Sequence, residues 1–130
     1  MVTPLYAALL GLVFIALSVR TLRLRRRHKT SIGMGEVPEL QRAMRAHANF
    51  AEYVPLTLIL LMFLEMYGTY RWIIHALGAL LLVGRMVHAY GVSQVQEDYR
   101  FRVSGMAMTF TALGMAALGV LAGQLSGYRM

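Results

Sequence analysis

LQRAMRAHANFAEYVP, residues 40–55, brings Arg42, Arg45, Asn49 and Glu52 into a segment that is otherwise apolar. At about 100° per residue these four positions share one helical face, and Leu56 and Ile59 continue it. A polar stripe therefore runs into a helix fit for lipid. With a rise of about 1.5 Å per residue, Glu52 lies roughly 10 Å along the axis from Arg45. If Arg45 marks the membrane surface, Glu52 sits about a third of the way through a ~30 Å hydrocarbon layer. A charge at that depth costs at least ~2.5–3.5 kcal/mol unless it is paired or faces a wet cavity. The rest of the chain has to compensate for it.

The chain of 130 residues has room for one domain, residues 1–130. It is 58% hydrophobic, with a mean hydropathy of +0.54. The net charge of +7 does not point to nucleic acid, because the bases cluster in a short segment between apolar runs. A strongly apolar chain with clustered arginine reads as an integral membrane protein with basic cytoplasmic loops. The absence of cysteine excludes disulfides and thiolate metal sites, so any thiol chemistry must come from a ligand. The ten methionines read as adaptable packing.

Four spans follow in order. Met1–Val19 has no charged side chain, and its apolar residues precede the bases, the reverse of a signal peptide. We read a retained first helix over 4–26. Arg20–Lys29, RTLRLRRRHK, anchors that end at anionic headgroups, and one or two of its arginines could also reach an anionic ligand. Pro38 suits the first turn of a second helix, 38–66, with Pro55 inside it as a kink. A third helix spans 71–90 and carries Arg85 and His88 on one face, with His75 near its start interfacial or hydrogen-bonded in the bundle. A fourth spans 100–124, where the small residues of the Gly119/Gly123 GxxxG pair suit close helix contact. The expected fold class is all-α, an up-down four-helix membrane bundle.

This alternation puts the end of the first helix, the start of the second, the end of the third and the start of the fourth in one leaflet. That leaflet holds Arg20–Arg27, Arg45, Asn49, Glu52, Arg85, His88, Arg100 and Arg102. The positive-inside rule makes it the cytoplasmic one, with both termini outside. Polar groups concentrated there predict a cytoplasm-facing cavity. Arginines fork carboxylates, asparagine offers an amide, and Glu52 can balance an amine. With Tyr53, the inventory suits a ligand with more than one carboxylate and an ammonium group. A simpler reading is that Glu52 pairs with Arg85.

The run Arg45-Ala46-His47-Ala48-Asn49-Phe50-Ala51-Glu52-Tyr53-Val54-Pro55 resembles the helix-two signature R-A-x-x-N-x-x-E-x-x-P of the MAPEG family, the membrane-associated proteins in eicosanoid and glutathione metabolism. The resemblance extends to the four spans, the basic first loop, the R-x-x-H step at Arg85/His88 and an arginine entering the fourth helix. Size and several segments look closest to the small bacterial branch. The resemblance implies a homotrimer in an inner membrane, with glutathione bound between adjacent protomers near the cytoplasmic side. By motif position, Arg45, Asn49, Glu52 and Tyr53 would hold the tripeptide. Arg85 and His88 would line the same site, and an arginine from the first-helix end, Arg23, would join them. Arg102 best matches the catalytic arginine that stabilises the glutathione thiolate; Ser104 or Arg100 could take that place instead. The implied activity is that of a glutathione transferase or peroxidase acting on small lipophilic electrophiles or hydroperoxides from the bilayer.

Departures from the pattern at His47, and near Tyr90, leave a non-catalytic binding or scaffold protein of the same fold as the alternative. A small cation exporter would carry an acidic residue in its first helix, and Met1–Val19 has none. No pair of histidines has metal-ligand spacing beside a carboxylate, and no glycine-rich strand–helix turn is present, so neither metal nor nucleotide is expected.

Overall fold

Four helices account for nearly all of residues 1–127, the part of the chain that the computed structural model describes. They are α1 (Thr3–Arg27), α2 (Pro38–Met66), α3 (Arg71–Ser93) and α4 (Tyr99–Leu125). Each is long and apolar enough to cross a membrane. The chain is all-helical among the described residues, as the hydropathy pattern predicts. α3 runs three residues past the expected Tyr90, to Ser93, whose hydroxyl bonds back to the carbonyl of Ala89.

The ends are set by local chemistry. Pro38 opens α2, where a missing N–H costs nothing. Asp98 caps α4 by accepting the Arg100 N–H at 3.0 Å. α1 lacks a side-chain cap of its own. Glu65, near the end of α2, supplies one by accepting the backbone N–H groups of Val2 and, at 2.8 Å, Thr3. Two basic-segment arginines have structural duties. Arg25 gathers the carbonyls of Thr30, Ser31 and Gly33, and Arg20 bonds Ser93 of α3. α2 continues through Pro55 without interruption.

The core is layered along the bundle. Tyr6, Leu61, Leu64, Ile74, Leu77 and Ala116 fill one end, and Leu10, Phe50, Val54, Leu81 and Ala112 the middle. Leu24, Leu40, Ala43, Ala46, Ala89 and Val92 continue toward the basic end. Leu12, Ile15, Leu118 and Leu121 point outward, as lipid requires. The small residues of α4 serve the bundle itself: Gly119 receives Leu64 and Gly123 receives Tyr67. His75 donates or accepts one hydrogen bond with the Tyr6 hydroxyl at 3.1 Å and is otherwise exposed.

Glycine decides how α3 meets α4. A Cβ on Gly105 would stand 2.5 Å from the His88 nitrogen and 2.7 Å from the Gly84 carbonyl. A Cβ on Gly91 would stand 2.9 Å from the Arg102 nitrogen. The two backbones are therefore in contact over several turns, and α4 begins directly against the last turns of α3. By contrast α1 packs on α2 and α3 and makes no contact with α4 among the described residues.

Candidate functional site

At the basic end the four helices do not close completely. α2, α3 and α4 leave a cavity of about 530 Å³, lined chiefly by Arg42, Arg45, Asn49, His88, Glu97 and Arg102. That volume falls within the roughly 300–1,000 Å³ typical of small-molecule sites. Pro38, Gln41, Val92, Tyr99 and Met106 complete the wall.

Each polar side chain arrives for a local reason. Arg42, Arg45 and Asn49 are three and four residues apart on α2 and so stack along one face. His88, 4% exposed, comes from the last turns of α3 at the Gly105 crossing. Arg102 follows Asp98, whose cap fixes the first turn of α4, and Gly91 lets that turn lie against α3.

Arg85 lies just beneath this cavity and is 1% exposed. One of its terminal nitrogens donates to the Asn49 side-chain oxygen at 2.8 Å, and the other reaches the Met106 sulfur at 3.5 Å. Its Cζ stands 5.9 Å from the centroid of the Tyr53 ring. Its Nε has no partner, and no carboxylate comes within ion-pair distance among the described residues. A buried cation held by one amide and an aromatic face is short of countercharge, and it raises the potential of the space above it.

Glu97, in the short α3–α4 connection, is the one carboxylate in the lining. Arg42 donates to one of its oxygens at 3.0 Å and Arg102 to the other at 3.4 Å. Its side chain is 6% exposed, whereas that of Arg102 is 50% exposed. The hydrogen bond from Arg42, with Arg102 alongside, holds the Glu97 carboxyl below the usual 4.5 despite the opposing effect of burial.

The structure thus brings Arg45, Asn49, His88 and Arg102 around one cavity, with Arg85 under its floor. The other expected residues stand elsewhere. Glu52 is exposed on the outside of α2, one turn beyond Asn49, with no partner among the described residues of the protomer. Met106, and below it the Tyr53–Phe110 edge contact at 5.4 Å, close the gap between α2 and α4 before that depth is reached. Tyr53 therefore packs under the site instead of lining it. Arg23 lies on an outward groove of α1 with Leu12, Ile15, Val19 and Glu39, because α1 does not border the α2–α3–α4 cavity. The Glu52–Arg85 pair considered from the sequence does not form; Asn49 takes Arg85 instead. Ser104 bonds the Phe101 carbonyl, and neither it nor Arg100 lines the cavity. Two charged lining residues, Arg42 and Glu97, were not among the expected site residues. Arg42 was visible on the polar face of α2. Glu97 had no sequence signal beyond a polar loop.

The sequence pattern that describes the MAPEG family matches residues 3–122. The chain is also similar to the inner membrane protein YecN of Escherichia coli strain K12, 40% identical over 121 residues, which cover 93% of this chain and 91% of that protein. YecN of Escherichia coli O6:H1 strain CFT073 matches to the same extent.

Proposed function

Because the chain belongs to the MAPEG family, a multi-pass inner-membrane protein of the glutathione and eicosanoid kind, we propose that its α2–α3–α4 cavity binds glutathione and activates the thiol for attack on lipophilic electrophiles or hydroperoxides. The observation that supports this most is the lining: three arginines, an asparagine and a histidine around about 530 Å³, above a buried guanidinium that lacks a counter-ion. Glutathione brings two carboxylates, an amine, two amides and a thiol. Arg42 and Arg45 suit the two carboxylates, Asn49 suits an amide, and Arg102 is left for the sulfur.

An ordinary thiol, with a pKa of about 8.5, is mostly protonated at neutral pH. A guanidinium beside the sulfur favours the thiolate, and the proton leaves through the open mouth to water. Arg102 is our choice for that role, since it enters the cavity from α4 with half its side chain accessible. The thiolate forms a carbon–sulfur bond as the leaving group departs with its electron pair. With a hydroperoxide it takes the terminal oxygen, releasing an alcohol, and a second glutathione attacks the sulfur of the sulfenate to form the disulfide, the oxygen leaving as hydroxide and then water.

Orientation follows from charge: Arg20–Lys29 and the cavity belong on the cytoplasmic side, with both ends of the chain outside. The homotrimer belongs to the same proposal. Glu52 is unpaired among the described residues on a lipid-length helix, a costly arrangement that a neighbouring subunit would cover. Arg23 can approach an α2–α3–α4 cavity only from another protomer, since its own α1 does not border that cavity. Native mass spectrometry of detergent-solubilised protein should give three copies; a monomer would remove Glu52 and Arg23 from the site.

The alternative is binding without catalysis, favoured by the engagement of Arg102 with Glu97. Turnover of glutathione with an activated aryl halide, lost in Arg102→Ala, supports the enzyme. Wild type that binds glutathione without turnover supports the alternative.

A further inference from the structure

Glu97 is the one lining residue whose charge opposes the proposed ligand, and it occupies the groups that ligand needs. Its two oxygens bridge Arg42 of α2 and Arg102 of α4 across the cavity. Its neighbours explain the arrangement. Asp98 is committed to the cap of α4, and the Val92 carbonyl takes a second bond from Arg42 at 3.2 Å. His88 borders the same space from α3. Without Glu97, Arg42, Arg45 and Arg102 would crowd three positive charges around one cavity. With it, two of the three share one negative charge, from a carboxylate that lies on a five-residue connection, 94–98, between helix ends. Such a segment moves at lower cost than a helix.

We propose that Glu97 is an internal stand-in for the anionic groups of a ligand: it bridges Arg42 and Arg102, and it is displaced when a ligand carboxylate takes Arg42 and the ligand sulfur takes its place beside Arg102. The inference rests on the glutathione reading and adds a specificity-determining residue to it. Displacement makes ground-state binding weaker than the arginine count suggests. It also gives the site a way to release a charged product, because Glu97 returns to the vacated guanidinium groups.

The test is titration calorimetry of detergent-purified wild type and Glu97→Gln with glutathione and with its diethyl ester, which lacks both carboxylates. Glu97→Gln should bind glutathione about fivefold more tightly, the worth of one partly screened ion pair, and leave the ester unchanged. Amide exchange in residues 94–98 supplies a second readout on unmutated protein. It should quicken when wild type is saturated with glutathione, and should be fast in Glu97→Gln with or without ligand. Equal or weaker glutathione binding by Glu97→Gln overturns the proposal, as does a wild-type connection that stays protected at saturation. If neither protein takes up glutathione, the parent reading fails with it. Binding by Glu97→Gln alone supports both.

Discussion

Arg85 gives its hydrogens to an amide oxygen, a sulfur and, among the described residues, no anion, although it is almost fully buried. Removing one member of a buried ion pair is expensive because a charge is stranded; replacing an ion that has no ionic partner is not. Arg85→Met should therefore leave thermal stability in detergent within about 1 kcal/mol of wild type, or raise it. Glutathione affinity should fall roughly tenfold, about 1.4 kcal/mol, as the cation under the cavity floor disappears. A large drop in melting temperature with unchanged affinity would make Arg85 purely structural. Glu97 carries a pH signature. Its carboxyl titrates below 4.5 in the folded protein because Arg42 and Arg102 favour the charged form. Its contribution to stability is then complete above that value and is lost as pH falls through the lowered one. The stability difference between wild type and Glu97→Gln should be flat from neutrality to about 4.5 and shrink below it. A difference that instead vanished on raising the pH would contradict the assignment.

At the scale of the element, the contact between α3 and α4 decides whether His88 and Arg102 share a cavity. Gly105 has the His88 nitrogen and the Gly84 carbonyl where a Cβ would go, and both are backbone atoms that cannot rotate aside. Gly105→Ala should destabilise by about 1–3 kcal/mol and weaken ligand binding together, since both effects follow from helices forced apart. Gly114, on the same helix, has nothing within 4 Å of the place a methyl group would take. Gly114→Ala should be stabilising by roughly 0.5–1 kcal/mol and leave binding alone. Melting curves of the two variants in one detergent make the comparison. Equal behaviour would mean that the crossing is looser than its distances say.

For the molecule as a whole, the fold was legible because lipid leaves few choices. Apolar runs of spanning length must be helices, and Pro38 and the Arg20–Lys29 cluster mark where they stop. The site was legible where periodicity suffices: Arg42, Arg45 and Asn49 do share a face. Periodicity gives a direction around a helix but no depth, so it could not show Met106 and the Tyr53–Phe110 contact closing the cavity above Glu52. Nor could it show that α1 stays clear of α4, which leaves Arg23 outside the protomer's own cavity. Glu97 depended on the path of a five-residue connection, which no repeat encodes. Arg42, Arg45, Asn49, His88 and Arg102 nevertheless meet at one cationic cavity, for which we propose a small peptide with two carboxylates as ligand. The most direct measurement is glutathione binding by calorimetry, wild type beside Arg45→Ala. Wild type should give a saturable heat at millimolar ligand or below, and Arg45→Ala should lose it while keeping its melting temperature. No heat for wild type at millimolar glutathione, or equal heat for both proteins, would contradict the account.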